Sequence, residues 1–184
     1  MQPYNHASML SYNAKLNILV RIELMKIISN LIEAHIFRIV KDELEFLLLK
    51  RSDDQIYPGV WQMVSGKIKN GERAIETVLR EIKEETGLIP KQLWAAPKIN
   101  SFYDSNDDNI TIIPVFAALV DDNPIKLSSE HSEYKWVKLK KTRKLLAWPG
   151  QKESVRIIAE YFLNEKSFLK FVEVDIKNRS RSLS

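Results

Sequence analysis

The amino-acid sequence predicts an α+β fold with a mixed β-sheet, on three observations. Two segments repeat apolar residues at a helical period, Ile75, Val78, Leu79 and Ile82 in the first and Val155, Ile158, Ala159 and Phe162 in the second. The strand-like runs come as hairpin pairs rather than in regular alternation with helices, which argues against a doubly wound sheet. The length of 184 residues, 45% of them hydrophobic and 28% charged, suits about one domain with a real core.

Taken in order, residues 1–24 show no clean period and read as an N-terminal extension, and Met25 marks the expected start of the domain. The run 27–40, "IISNLIEAHIFRIV", is rich in β-branched residues and predicts a strand. "KDEL" then turns the chain and "EFLLLKR" at 45–51 returns as a buried strand. "DDQIYPG" at 53–59 is loop chemistry, and "VWQMVSG" a short strand ending at Gly66. A helix follows through "NGERAIETVLREIKEETG", with Gly87 placed to end it in the left-handed conformation. Strands at about 94–103 and 110–120 flank the polar loop "DSNDDN" and form a second hairpin, and "EYKWVKL" at 133–139 gives a further strand. The second amphipathic helix spans 150–165, closing a domain read as 25–165, and residues 166–184 read as a frayed C-terminal tail.

Composition excludes several functions. With no cysteine in the chain, disulfides, thiolate nucleophiles and cysteine-held zinc or iron–sulfur sites are ruled out, which fits a reducing compartment and an expected cytoplasmic location. No apolar stretch approaches the roughly 18 residues of a membrane span, so no membrane partner is expected. The net charge of +4 attracts polyanions without distinguishing a mononucleotide from a nucleic acid. The densest basic run, "KLKKTRK" at 138–144, lacks the interleaved aromatics of a single-strand binding platform and reads as a solvated helix start, so a nucleic-acid partner is disfavoured. His35, alone in an apolar run, reads as a strand residue with no catalytic role.

The chemistry concentrates in "REIKEETGL" at 80–88. Once the apolar stripe is assigned to the core, Glu81, Glu84 and Glu85 are expected on the opposite side, spaced i, i+3, i+4 with Cβ atoms about 5–6 Å apart. Two full charges at that distance repel by about 3 kcal/mol at an effective dielectric of 20. A divalent cation with hard oxygen ligands reverses the sign, and Mg²⁺ is such a cation. The competing reading is a solvated face, since Glu76–Arg80 and Arg80–Glu84 are ordinary i,i+4 pairs. On the helix alone the two readings stand level.

The residues upstream separate them. From Gly66 the chain reads "GKIKNGERAIETVLREIKEETGL": Gly, five residues, Glu, seven residues, Arg-Glu, an aliphatic, any residue, Glu-Glu, any residue, Gly, an aliphatic. At average residue usage such a match arises by chance on the order of once in 10⁹ positions. It resembles the Nudix hydrolase signature without a mismatch, and weaker resemblance extends over roughly 27–165. The resemblance implies a Nudix-type α/β/α sandwich with a mixed sheet, a loop–helix–loop metal site, and hydrolysis of a small-molecule phosphoanhydride with Mg²⁺, for which Mn²⁺ can substitute.

Carried over by position, the resemblance makes Glu81, Glu84 and Glu85 metal ligands, with the carbonyl near Gly66 completing the site. Arg80 matches the arginine that holds a signature glutamate, Glu72 stands at the start of the helix and Gly87 ends it. In "LSSEHSEYKWV" Glu130 is preferred over Glu133 as a further ligand or base, which gives a catalytic set of Glu81, Glu84, Arg80 and Glu130. Val64-Ser65-Gly66, "SSEHSEYKWV" and "WPGQKES" are similar to the branch that includes dihydroneopterin triphosphate pyrophosphatase and dATP pyrophosphohydrolase. Diadenosine polyphosphate hydrolysis, RNA 5′-end hydrolysis and a non-catalytic nucleotide-binding module are the alternatives. Arg51 is read as a phosphate contact, Ser65 as a substrate-side residue and Trp61 as a stacking surface, with Tyr134, Trp136 and Trp148 as further aromatics. The sequence names neither the exact substrate nor the oligomeric state.

Overall fold

The structure is a computed structural model that describes residues 25–176. The extension 1–24 and the end of the tail lie outside the described residues. Nine strands form one mixed sheet: β1 (Lys26–Ile28), β2 (Leu31–Val40), β3 (Glu43–Arg51), β4 (Trp61–Gln62), β5 (Val64–Lys67), β6 (Gln92–Asp104), β7 (Asn109–Leu119), β8 (His131–Lys138) and β9 (Glu173–Val174). The helices are α1 (Ala74–Thr86), α2 (Leu139–Leu145), α3 (Pro149–Leu163) and the single turn α4 (Leu169–Val172).

Alternation along β2 builds the layers. Ile32, Ala34 and Ile36 join Leu47, Leu49, Val64 and Phe116 under Val78 and Ile82 of α1. On the other face Phe37 packs with Phe46, Leu48, Trp94 and Val115 beneath Val155, Ile158 and Phe162 of α3. Two helices bury their stripes against opposite faces of one sheet, which is the expected α/β/α sandwich. Val78 and Ile82 are fully buried, and each contributes about 1.5–3 kcal/mol by leaving water.

The sheet is mixed because β2 runs parallel to β7, from Glu33 opposite Val115 to Phe37 opposite Leu119. Its other edge is divided. Leu31–Ala34 pair antiparallel with β5, and Phe37–Val40 with β3. The β2–β3 turn is only Lys41 and Asp42, both at positive φ, 50° and 62°, the conformation of a two-residue hairpin turn whose twist matches its strands.

Two sequence expectations need correction. The run 27–40 is not one strand: it breaks at Ser29–Asn30, with β1 pairing parallel to Asn109–Thr111 and β2 starting at Leu31. Residues 166–176 are not frayed. Lys166–Phe168 form a 3₁₀ turn and Glu173–Val174 pair antiparallel with Leu93 and Trp94 of β6, so the chain returns to the sheet after α3. The basic run 138–144 falls on the end of β8 and on α2, as read.

Candidate active site

Helix α1 positions most of the site, and its first turn is held by carboxylates. Arg73 donates its backbone N–H to Glu76 Oε2 at 2.9 Å, so Glu76 caps the helix instead of pairing with Arg80. Glu72, just before the helix, accepts from Lys69 N at 3.0 Å and from Thr77 Oγ1 at 2.8 Å. It also takes a two-pronged contact from Arg80, Nε to Oε1 at 2.7 Å and Nη2 to Oε2 at 2.9 Å. The hydrogen bond from Arg80 is the main reason that the Glu72 carboxyl is pulled down to about 2.

Arg80 has more partners than Glu72. Its Nη1 donates to Glu81 Oε1 at 2.7 Å and Glu84 Oε2 at 2.9 Å, and Nη2 to the carbonyl of Lys67 at 3.1 Å. These contacts are those of a positioning residue that ties the loop, the helix start and two carboxylates together. They raise the affinity of the guanidinium for its proton further.

The three signature glutamates do not share one environment. Glu84 is about half exposed, Glu81 is largely covered, and the Glu85 side chain retains 5% exposure. The expectation that all three lie opposite the core is corrected for Glu85, which follows Val78 and Ile82 at i+7 and i+3 and so continues the buried stripe. Burial, first, pushes the Glu85 carboxyl up to about 7, opposed by the hydrogen bond to His131 and reinforced by the charges of Glu81 and Glu130. Glu81 is also raised, again chiefly by burial, with Arg80 opposing and Glu84 and Glu130 adding to the rise.

Glu130 reaches this cluster through a loop that docks on the end of α1. Lys126 N donates to the carbonyl of Thr86 at 2.9 Å and Ser128 N to that of Glu85 at 3.1 Å, so the loop satisfies carbonyls that a helix end leaves open. Gly87 at φ 72° turns the chain out of the helix. Ser52 N holds the Glu130 carbonyl at 2.9 Å. Glu133 is committed elsewhere, to Lys50 Nζ at 2.5 Å.

Gly66 lies on β5 opposite Ile32. A Cβ there would meet the Glu81 carboxyl carbon at 2.2 Å, so the bare backbone makes room for that carboxylate. Among the described residues no ready metal-ligand cluster is formed, and Arg80 reaches between Glu81 and Glu84. The donor set nevertheless fits a hard divalent cation: four carboxylates, two with protonation favoured by crowding and burial, beside a glycine that lets one rest on the backbone.

The substrate-side residues are more scattered. Ser65 is exposed beside Gly66. Arg51 ends β3 next to Ser52, with its buried Nε carrying no hydrogen bond and its Nη2 donating to Gln55 at 3.4 Å. Trp61 is not an open stacking surface, because the Lys135 ammonium stands 4.4 Å over its ring. Arg38 covers Trp136 in the same way. Trp148 is 40% exposed, edge-on to exposed Tyr57 at 5.2 Å, a pairing across some ninety residues that no local pattern announces. Sequence reasoning also missed His131, whose Nε2 lies 2.7 Å from Glu85 Oε2. Its only signal was its place next to Glu130. A surface cavity of about 720 Å³ lined by Asp42, Lys138, Arg143 and Lys152 lies at the opposite end of β3 and takes no part in this site.

Comparison with known proteins agrees with the fold. Residues 31–160 match the NUDIX domain model. The nucleoside triphosphatase NudI of Escherichia coli O139:H28 is 28% identical over 109 residues, covering 54% of this chain and 77% of that protein. The MutT protein of Methanosarcina mazei Go1 aligns with a TM-score of 0.59 and 31% identity over 77% of this chain and 96% of its own. The dihydroneopterin triphosphate pyrophosphohydrolase of E. coli aligns with a TM-score of 0.56 over 70% of this chain and 94% of that one, and at 21% identity this is a likeness of fold. With its family model spanning both faces of the sheet and the whole carboxylate helix, the chain belongs to the Nudix domain family and is a hydrolase acting on phosphoanhydrides.

Proposed function

We propose that the protein is a Mg²⁺-dependent pyrophosphohydrolase that cleaves a nucleoside triphosphate-like substrate, of dATP or dihydroneopterin triphosphate type, to monophosphate and pyrophosphate. The observation that carries this reading is the gathering of Glu81, Glu84, Glu85 and Glu130 around the end of α1 by a helix and a loop that bond to each other. Those four residues, with the backbone at Gly66, would hold the cation. When bound it orients the polyphosphate, acidifies water and offsets charge on the leaving phosphate.

The chain's own residues supply the rest. Water attacks phosphorus, a P–O bond forms, the anhydride P–O bond breaks, and the electron pair leaves on the pyrophosphate oxygen. The proton passes to a carboxylate drawn from Glu81, Glu84 and Glu130, of which Glu84 and Glu130 are open to solvent. Arg80 holds Glu81 and Glu84 from one side, which limits how far either can swing. Arg51 and Ser65 face the substrate in this reading. The exposed Tyr57–Trp148 pair offers aromatic surface for its heterocycle in place of Trp61.

The deciding experiment is a substrate panel of dATP, dihydroneopterin triphosphate and a diadenosine polyphosphate with Mg²⁺, scored for pyrophosphate against orthophosphate. Pyrophosphate from one of the first two, lost in Glu84→Gln, is the expected outcome. Preference for the dinucleotide would overturn the substrate class, and tight nucleotide binding without product would overturn catalysis.

A further inference from the structure

The buried contact between His131 and Glu85 is costlier than a structural contact needs to be. Glu85 sits in the last turn of α1, where the helix macrodipole disfavours negative charge, and its side chain is taken almost wholly out of water. His131 has 1% side-chain exposure, and its Nδ1 finds no hydrogen-bond partner. A buried ion pair or carboxylate–imidazole contact of this kind is seldom more stabilising than apolar residues of the same volume. The neighbours on the stripe, Val78 and Ile82, show that such residues fit there.

The position of His131 is fixed from both sides. It pairs with Arg51 in the β3–β8 register, and its backbone N–H donates to the Ser128 carbonyl at 3.3 Å. Ser128 in turn donates to the Glu85 carbonyl at 3.1 Å. The main chain and the imidazole therefore grip the same residue of α1, one at its carbonyl and one at its carboxylate. Glu130 lies in the short segment between the two grips. The hydrogen bond on Oε2 leaves Oε1 as the oxygen of Glu85 without a donor among the contacts of this pair.

We infer that His131 is a positioning residue for the carboxylate site: through its Nε2 it fixes which oxygen Glu85 presents, and it sets Glu130 against the helix carboxylates. This rests on the reading of Glu81, Glu84, Glu85 and Glu130 as cation ligands. A partner that orients a ligating carboxylate from behind alters cation affinity by about 10- to 100-fold when removed. Sequence adjacency of Glu130 and His131 is then functional, since one residue faces the cation and the next bolts the loop to the helix that carries the other ligands.

The test uses the full chain and Mn²⁺ alone as the probe, its dissociation constant measured by electron paramagnetic resonance of free Mn²⁺. His131→Met fills the volume without a donor, and His131→Gln restores an N–H at about the reach of Nε2. Thermal unfolding in chelator is followed in parallel. The expected result is Mn²⁺ binding weakened 10- to 100-fold in His131→Met and largely recovered in His131→Gln, measured well below the unfolding midpoint, which falls in His131→Met because Glu85 stays buried without its donor. Equal Mn²⁺ affinity in the natural protein and His131→Met, or equal weakening in both variants, overturns the inference. If the natural protein and Glu84→Gln bind Mn²⁺ alike, the carboxylate site itself is not where the cation sits, and the reading under this inference falls with it.

Discussion

Arg80 grips Glu72 with two nitrogens across eight residues, at 2.7 Å and 2.9 Å, and so joins the loop that follows β5 to the second turn of α1. The Glu72 side chain keeps 15% exposure, so the contact is only partly screened. Its carboxyl is pulled down to about 2 against an ordinary value of 4.5. A carboxyl lowered on folding stabilises the fold above its unfolded pKa, and that contribution is lost as pH falls from about 4.5 toward 2. Urea unfolding of Glu72→Gln should therefore show a loss of about 1–3 kcal/mol at pH 7 that shrinks steadily below pH 4.5. A difference from the natural protein that stays constant down to pH 3 would contradict this origin.

Gly66→Ala tests the close approach of the Glu81 carboxylate to the backbone. The added Cβ would meet the Glu81 side chain at 2.2 Å, and that side chain, not backbone, is what must move. Stability should change little, within about 1 kcal/mol. Turnover should fall by about 10²-fold, since a displacement of one ångström or so at a reacting centre costs that much. Steady-state kinetics beside thermal unfolding would separate the two, and an unfolded alanine variant would show that Gly66 serves the fold instead.

Glu33 and His35 form a second buried polar contact, Oε1 to Nε2 at 2.5 Å, on the face of β2 that packs under α3. Asn100 also donates to Glu33 Oε1 at 3.0 Å and to Ser154 Oγ at 3.1 Å, which links β2, β6 and α3. Burial raises the Glu33 carboxyl most among the single causes, but His35, by charge and hydrogen bond, with Gln151 and Asn100 brings it below the usual range. Glu33→Leu alone should cost about 3–5 kcal/mol because the donors lose their acceptor. The double variant Glu33→Leu, His35→Leu should recover part of that in urea unfolding, and strict additivity would sink the coupling.

Cation removal should separate activity from folding. The carboxylates around the end of α1 repel one another, so adding Mg²⁺ to chelator-treated protein should raise its melting temperature by a few degrees as well as restore turnover. Scanning calorimetry with Ca²⁺, Mg²⁺ and no cation would check it. An unchanged melting temperature at millimolar Mg²⁺ would argue against a cation bound at these residues.

Much of this was legible before the structure. The i, i+3, i+4 spacing of Glu81, Glu84 and Glu85, its register with Gly66 and Glu72, and the apolar stripes of α1 and α3 are local patterns, and local patterns are what a chain displays. The burial of Glu85 was there to be found in its i+7 relation to Val78, but its charge masked the period. The contact from His131 could not be found, because 46 residues separate the partners and it takes both the β3–β8 register and the docking of Lys126 and Ser128 on the end of α1 to bring them together. Trp61 illustrates a different limit: an exposed aromatic and one capped by a lysine look the same in sequence. Residues 173–174 are too few to carry a strand pattern, and their pairing depends on an edge that β6 alone provides.

That edge has a consequence for the molecule's behaviour in solution. Among the described residues β9 covers only Leu93 and Trp94, and beyond the irregularity between Ala95 and Ile99 the outer rim of β6 runs on with Ile99, Phe102 and Tyr103 exposed. Pro97 and Lys98 interrupt that rim with a missing donor and a positive charge, which discourages a neighbour from adding a strand there. The two-residue return of the chain therefore acts as a selvedge for the start of the rim, ahead of Pro97 and Lys98. A chain cut before Glu173 would leave Leu93 and Trp94 raw as well and lengthen the stretch on which two molecules could stick.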